Sequence, residues 1–306
     1  MTVRDKLLAL VVVIFWGGNF LAIHVGLEHF PPLLLACLRW LVLAVPTVLF
    51  VRPPKGNRWW LFGYGLGVGT AQFAFLFLGM ANGLPTGLAS LVLQASAPFT
   101  VLLGAVLLRE RLTWRQSTGV ALAVGGLVAI AAARSAVAPM LPLALGLLAA
   151  LSWAFGNLCS RKAAPEDPMR FMLWMSVVPP VPLFALSWFV EGKAAVVTAL
   201  DTAFTPSGWA ALAALGYVVV FATVVGQGIW TILLARYPAG IVAPYCMLIP
   251  VVGIALAMVV LGERPSWVEL LAGVVIVAGV LYGTPRVPAV APTEPAPPMA
   301  PATRAP

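Results

Sequence analysis

Apolar residues run almost without interruption through ten stretches, near 7–27, 33–51, 59–80, 86–108, 116–133, 141–159, 169–190, 208–234, 239–261 and 267–283, separated by short polar or proline-bearing segments. A helix needs roughly 20 apolar residues to cross a hydrocarbon core about 30 Å thick. The pattern therefore predicts an all-α integral membrane protein with ten transmembrane helices. The run at 208–234 is long enough to tilt or to include an interfacial turn. Arg4 and Lys6 precede the first run as they would in a signal peptide, but the run continues past residue 20 with no small-residue cleavage site, so it reads as a retained span. After Thr284 the chain turns Pro/Ala-rich, and 287–306 reads as a disordered tail.

Composition removes the soluble alternative. Of 306 residues, 61% are hydrophobic and 9% charged, against about a quarter charged in a soluble domain. The net charge of +8 fits basic loops at an anionic membrane face better than nucleic acid, which is not an expected partner. With both termini cytoplasmic, the clusters Arg52/Lys55/Arg58, Arg109/Arg111/Arg115 and Arg161/Lys162/Arg170 all fall inside, whereas Arg134, Lys193 and Arg264 fall outside. The positive-inside rule selects that orientation. Cys37, Cys159 and Cys246 lie in apolar runs without CxxC or Cys/His spacing, so packing is expected and neither a disulfide framework nor a metal site.

The chain also repeats itself. Pro85-x-Gly87, Glu110-Arg111 and Trp114 recur as Pro238-x-Gly240, Glu263-Arg264 and Trp267 at one constant offset of 153 residues. Upstream, Trp40 and Pro46 recur as Trp174 and Pro180, and Trp16 with Asn19 recurs loosely as Trp153 with Asn157. Residues 1–137 and 138–286 thus read as two five-span repeats. Five is odd, so the second copy enters the membrane from the opposite side. Inverted halves of this kind let two similar units rock about a midplane site, the geometry of alternating access.

The stretches FWGGNFLAIHVGL, PPLLLACLRWLVLAVP, LPTGLASLVLQASAPFTVLLGAVLLRERL, LSWAFGNLCSRK, ATVVGQGIW and IPVVGIALAMVVLGER resemble the EamA family of the drug/metabolite transporter superfamily across about 5–283. Within it, TAQFAFLF, GLASLVLQA and GQGIW are most similar to its exporters of O-acetylserine and cysteine. The resemblance implies ten spans, a bacterial inner-membrane location and efflux of cysteine-pathway metabolites or related amino acids. The nearest rival is a permease of the same fold for threonine, an aromatic amino acid or a neutral drug. His24 departs from the lysine carried by many relatives. Pro98 lies 12 residues before Glu110 and Pro250 lies 13 before Glu263, so the two breaks need not superimpose.

A small zwitterionic metabolite needs donors for its carboxylate and acceptors or an aromatic face for its ammonium. Polar and tryptophan side chains within spans are the candidates: Trp16, Asn19 and His24 on span one, Gln72 on span three, Ser90, Gln94 and Ser96 on span four, Trp153 and Asn157 on span six, Gln227 on span eight and Tyr245 on span nine. Each could instead bond or pack against a neighbouring helix. Asn19 and His24 need not face the same way. Gln94 stands out because it sits four residues before Pro98, whose missing amide and ring free carbonyls in the preceding turn. Pro250 marks the corresponding place in the other half, and paired proline-interrupted spans point to a midplane site. Arg39 is the charged side chain within a span, either a carboxylate clamp through its planar fork or a structural residue reaching toward the membrane face or bonding another helix. Glu110 and Glu263, at span ends beside arginines, read as caps and local ion pairs.

No Asp or Glu lies mid-span, which argues against cation–proton antiport on an intramembrane carboxylate. An imidazole is the side chain that changes charge near neutral pH, so the open alternatives are facilitated diffusion and proton coupling through His24. HExxH, GxSxG, a phosphate loop and paired intramembrane carboxylates are all missing, so no enzyme and no cofactor is expected. A non-transporting scaffold gives no reason for inverted halves. Gly63, Gly65, Gly67 and Gly69 predict close helix packing by span three, and Gly279 with Gly283 could serve packing or a dimer, leaving the oligomeric state open.

Overall fold

The structure, a computed structural model, describes residues 1–135, 139–237 and 242–283. Ten helices follow the apolar runs: α1 Val3–Leu27, α2 Pro32–Phe50, α3 Arg58–Ala81, α4 Thr86–Leu108, α5 Trp114–Ala133, α6 Leu141–Ala163, α7 Pro168–Glu191, α8 Trp209–Leu234, α9 Pro244–Leu261 and α10 Trp267–Gly283. The first nine are long and apolar enough to span a bilayer, and α10 has 17 residues, the lower end of what suffices. The chain is the all-α membrane protein that its hydropathy predicts. Its lipid side is apolar, with Phe50, Phe189 and Val259 each more than four-fifths exposed, while polar residues such as Asn19, Gln72 and Gln94 are buried inside.

A short helix, Lys193–Asp201, joins α7 to α8. Hydropathy misses it because nine residues ending in an aspartate make no long apolar run. It rests on the α1–α2 turn, where His29 Nε2 lies 3.2 Å from the Ala199 carbonyl. The Pro238-x-Gly240 arm of the repeat, the 137/138 boundary and the 287–306 tail lie outside the described residues.

The duplication is visible in backbone details as well as in sequence. A π-helical turn interrupts α3 at Gly65–Ala71 and another interrupts α8 at Val218–Val225, again 153 residues apart. In both, a threonine hydroxyl donates five residues back, Thr70 to the Gly65 carbonyl at 3.3 Å and Thr223 to the Val218 carbonyl at 2.8 Å. α4 ends on Arg109 at φ 55° and α9 on Gly262 at φ 67°, the same left-handed stop at the same offset. The following amides close the turn alike, Glu110 onto the Gly104 carbonyl and Glu263 onto the Ala257 carbonyl. A 3-10 stretch precedes each singled-out proline, Leu93–Ala95 before Pro98 and Ala243–Leu248 before Pro250. The two breaks are equivalent in kind and differ in length, six residues in α9 against three in α4.

Glycines set the closest approaches. A Cβ on Gly67 of α3 would come within 2.8 Å of the Gly156 amide nitrogen of α6, so the two backbones touch. The Gly279/Gly283 pair of α10 is taken up within the chain by Gly119 of α5, where an added Cβ on Gly279 would meet the Gly119 carbonyl at 2.8 Å. That face serves packing inside one molecule.

The halves are clasped to each other at helix ends. The Glu263 carboxylate, just after α9, accepts from the Thr86 and Gly87 amides at 2.6 and 3.0 Å, capping α4. Glu191, closing α7, accepts from the Leu33 and Leu34 amides at 2.6 and 3.2 Å, capping α2. Both carboxylates sit at the positive ends of helices whose first amides lack intrahelical partners. Glu110, by contrast, pairs with Arg161 of α6 at 2.6 Å, about half exposed. Both carboxylates act at span ends as structural residues, but the partners are not the adjacent arginines that the sequence suggests: Glu263 caps a helix of the other half and Glu110 reaches Arg161, 51 residues away.

Candidate functional site

A cavity of about 180 Å³ lies between the halves. The first half contributes Trp16, Asn19 and Phe20 from α1, Arg39 and Trp40 from α2, Tyr64, Gln72 and Phe73 from α3, and Ser90 and Gln94 from α4. The second contributes Trp153 from α6, Met172 and Met175 from α7, Ala222, Thr223 and Gln227 from α8, and Ile249 from α9. Apolar and aromatic walls with a few convergent polar groups are the usual make-up of a small-molecule site.

The π turn of α8 and the 3-10 stretch of α4 deliver polar groups to this cavity. The π turn of α8 presents the Thr223 hydroxyl, which accepts from Arg39 Nη2 at 3.1 Å, and the Ala222 carbonyl, which accepts from Trp16 Nε1 at 2.8 Å. Turns of this kind recur at functional sites because the extra residue alters which backbone groups are free. The 3-10 stretches of α4 and α9 face each other, and Gln94 Nε2 donates to the Cys246 carbonyl at 3.0 Å. Gln94 thus spans the two helix breaks.

Arg39 turns inward instead of running to the membrane face. It is 7% exposed, and Nη1 donates to Asn19 Oδ1 at a long 3.5 Å. Its guanidinium lies 4.1 Å from the Phe73 ring centroid and 5.3 Å from that of Trp40, stacked as a cation over aromatic faces. Among the described residues no carboxylate pairs with it.

Several expected residues stand elsewhere. His24 is half-buried on α1 with Nδ1 3.5 Å from the Thr86 hydroxyl, outside the cavity lining. Asn157 donates to the Thr100 hydroxyl at 3.4 Å, linking α6 to α4. Ser96 is buried in α4, where its carbonyl accepts from the Thr100 hydroxyl at 2.7 Å. Tyr245 packs half-buried against the apolar core. Pro98 and Pro250 are buried in α4 and α9 and do not line the cavity. Among the lining residues that the sequence does not single out for binding, Trp40, Tyr64 and Thr223 carry polar groups. The threonine carries a signal in hindsight, since it repeats Thr70 at the offset of 153.

Comparison with known proteins agrees with this architecture. The model of the EamA-like transporter family matches twice, at residues 6–132 and 140–282. A probable amino-acid metabolite efflux pump of Escherichia coli K12 is 41% identical over 91% of this chain and 94% of its own length. A probable terminal-alkyne amino-acid exporter of Streptantibioticus cattleyicolor is 28% identical over 92% and 94%. One solved crystal structure superposes with a TM-score of 0.61 at 19% identity, covering 92% of this chain and 96% of that one, which speaks to fold alone. With a twice-matching family model and a relative similar over nearly its whole length, the chain belongs to the EamA-like transporter family.

Proposed function

We propose that this protein exports small amino-acid metabolites, cysteine, O-acetylserine or related amino acids, across the bacterial inner membrane by alternating access. The halves 1–137 and 138–286 are the rocking units, and both termini lie in the cytoplasm. The observation that carries the reading is the cavity between the halves, where polar side chains from both converge on a buried Arg39 that no carboxylate pairs with among the described residues. The names of the efflux-pump and exporter relatives support the same substrate class. Facilitated diffusion is the favoured energetics, since the described lining contains no Asp, Glu or His.

Counterflow in reconstituted vesicles tests this. Vesicles preloaded with unlabelled cysteine or O-acetylserine should accelerate uptake of the labelled compound relative to empty ones. If no amino acid exchanges while a dissimilar solute does, the proposed substrate class is wrong. The aromatic lining, Trp16, Phe20, Trp40, Tyr64, Phe73 and Trp153, favours a second reading within the same screen, amino acids with apolar or aromatic tails.

A further inference from the structure

Three buried side-chain atoms among the described residues have no hydrogen-bond partner: Arg39 Nε, Trp40 Nε1 and Gln72 Oε1. All three residues line the central cavity, and they are 7%, 3% and 4% exposed. A buried polar atom left unpaired is costly, so such atoms are rare and three in one cavity need a reason.

They are also neighbours. Arg39 and Trp40 are consecutive on α2, Gln72 and Phe73 consecutive on α3. The guanidinium stacks on Phe73 at 4.1 Å, and the Trp40 and Phe73 rings meet edge to face at 5.4 Å. The repeat shows that the indole position itself does not demand an orphan. Trp174, the counterpart of Trp40, donates to the Val51 and Arg52 carbonyls at 3.1 and 3.0 Å. Only the copy facing the cavity is without a partner among these two.

Two free donors, one of them charged, beside one free acceptor form the complement of an α-amino acid head group. Resting on the amino-acid reading above, we infer that Arg39 Nε and Trp40 Nε1 bind the substrate carboxylate while Gln72 Oε1 accepts from its ammonium. The pairing supplies a counter-anion to Arg39, with which no carboxylate pairs among the described residues. The side chain of the substrate then faces the remaining aromatic and methionine wall, so recognition falls on the head group and tolerates different small tails. Among the described residues the opposite half has no such cluster, and Leu173 stands at the position related to Arg39 by the Trp40/Trp174 offset, so one repeat holds the head group.

Analogues and two variants test this in the full-length chain reconstituted in vesicles, by competition against labelled cysteine. Cysteamine lacks the carboxylate and 3-mercaptopropionate lacks the ammonium; each should compete at least about tenfold more weakly than cysteine, because a site built for a polar group rejects the analogue without it. Trp40→Phe should weaken cysteine and 3-mercaptopropionate but not cysteamine. Gln72→Leu should weaken cysteine and cysteamine but not 3-mercaptopropionate. Both variants remove an unpaired polar atom in favour of apolar surface, so their melting temperatures in detergent should be unchanged or higher. Analogues competing as well as cysteine on the unaltered protein, or variants that weaken all three ligands alike while melting lower, would overturn the assignment and leave amino-acid transport standing. Failure of every amino acid to exchange would overturn both.

Discussion

His24 shows how much a single residue's surroundings decide. A polar side chain in an apolar run must face protein, and by that rule Asn19, Gln72, Gln94, His24 and Asn157 look alike in sequence. The structure separates them. Asn19, Gln72 and Gln94 reach the cavity, whereas His24 meets Thr86 and Asn157 meets Thr100. Residue type does not reveal whether a buried amide or imidazole faces a lumen or glues two helices, because both remove the same polar group from lipid. Arg39 was equally ambiguous, since its place near the start of α2 allowed a route to the membrane face that its stacking on Phe73 denies. His24→Gln keeps a group able to reach Thr86 while abolishing the charge change. Counterflow and its pH dependence from about pH 5.5 to about pH 8 should be the same in the variant as in the parent. A pH dependence present in the parent and lost in the variant would restore the proton route through His24.

At the scale of elements, the ten helices were legible because lipid demands long apolar runs, and the breaks at Pro98 and Pro250 because proline removes a donor. The π turns of α3 and α8 were not. They insert a residue without changing hydropathy, and Gly65–Ala71 and Val218–Val225 share little sequence beyond Thr70 and Thr223. The matched left-handed stops after α4 and α9 have a consequence for stability. Gly262 takes φ 67° without penalty, while Arg109 holds φ 55° with a Cβ crowding its carbonyl, a cost of about 1 kcal/mol or more. Arg109→Gly should therefore stabilise the fold by about 1 kcal/mol, read as a rise of roughly 2 °C in the detergent melting temperature. Gly262→Arg should lower it by a similar amount. Opposite signs or two null results would mean that these stops are not strained.

The inversion was legible for the whole molecule from one constant offset and an odd span count, yet the way the halves grip each other was not. A motif such as Glu263-Arg264 announces a local pair, and the structure gives Glu263 to a helix of the other half, 177 residues away from Thr86. Through it the α9–α10 turn holds the first amides of α4 and ties the two halves together at that helix end. Removing it should loosen the assembly in a graded way. Glu263→Ala deprives two half-buried amides of a charged acceptor, a loss of about 2 kcal/mol, whereas Glu263→Gln keeps one acceptor oxygen and should fall between the alanine variant and the parent in melting temperature. Glu110→Gln, acting on a pair half exposed to solvent, should change stability by under about 1 kcal/mol. Alanine and glutamine at position 263 melting together, or a larger loss at Glu110 than at Glu263, would show that the halves are held by other contacts.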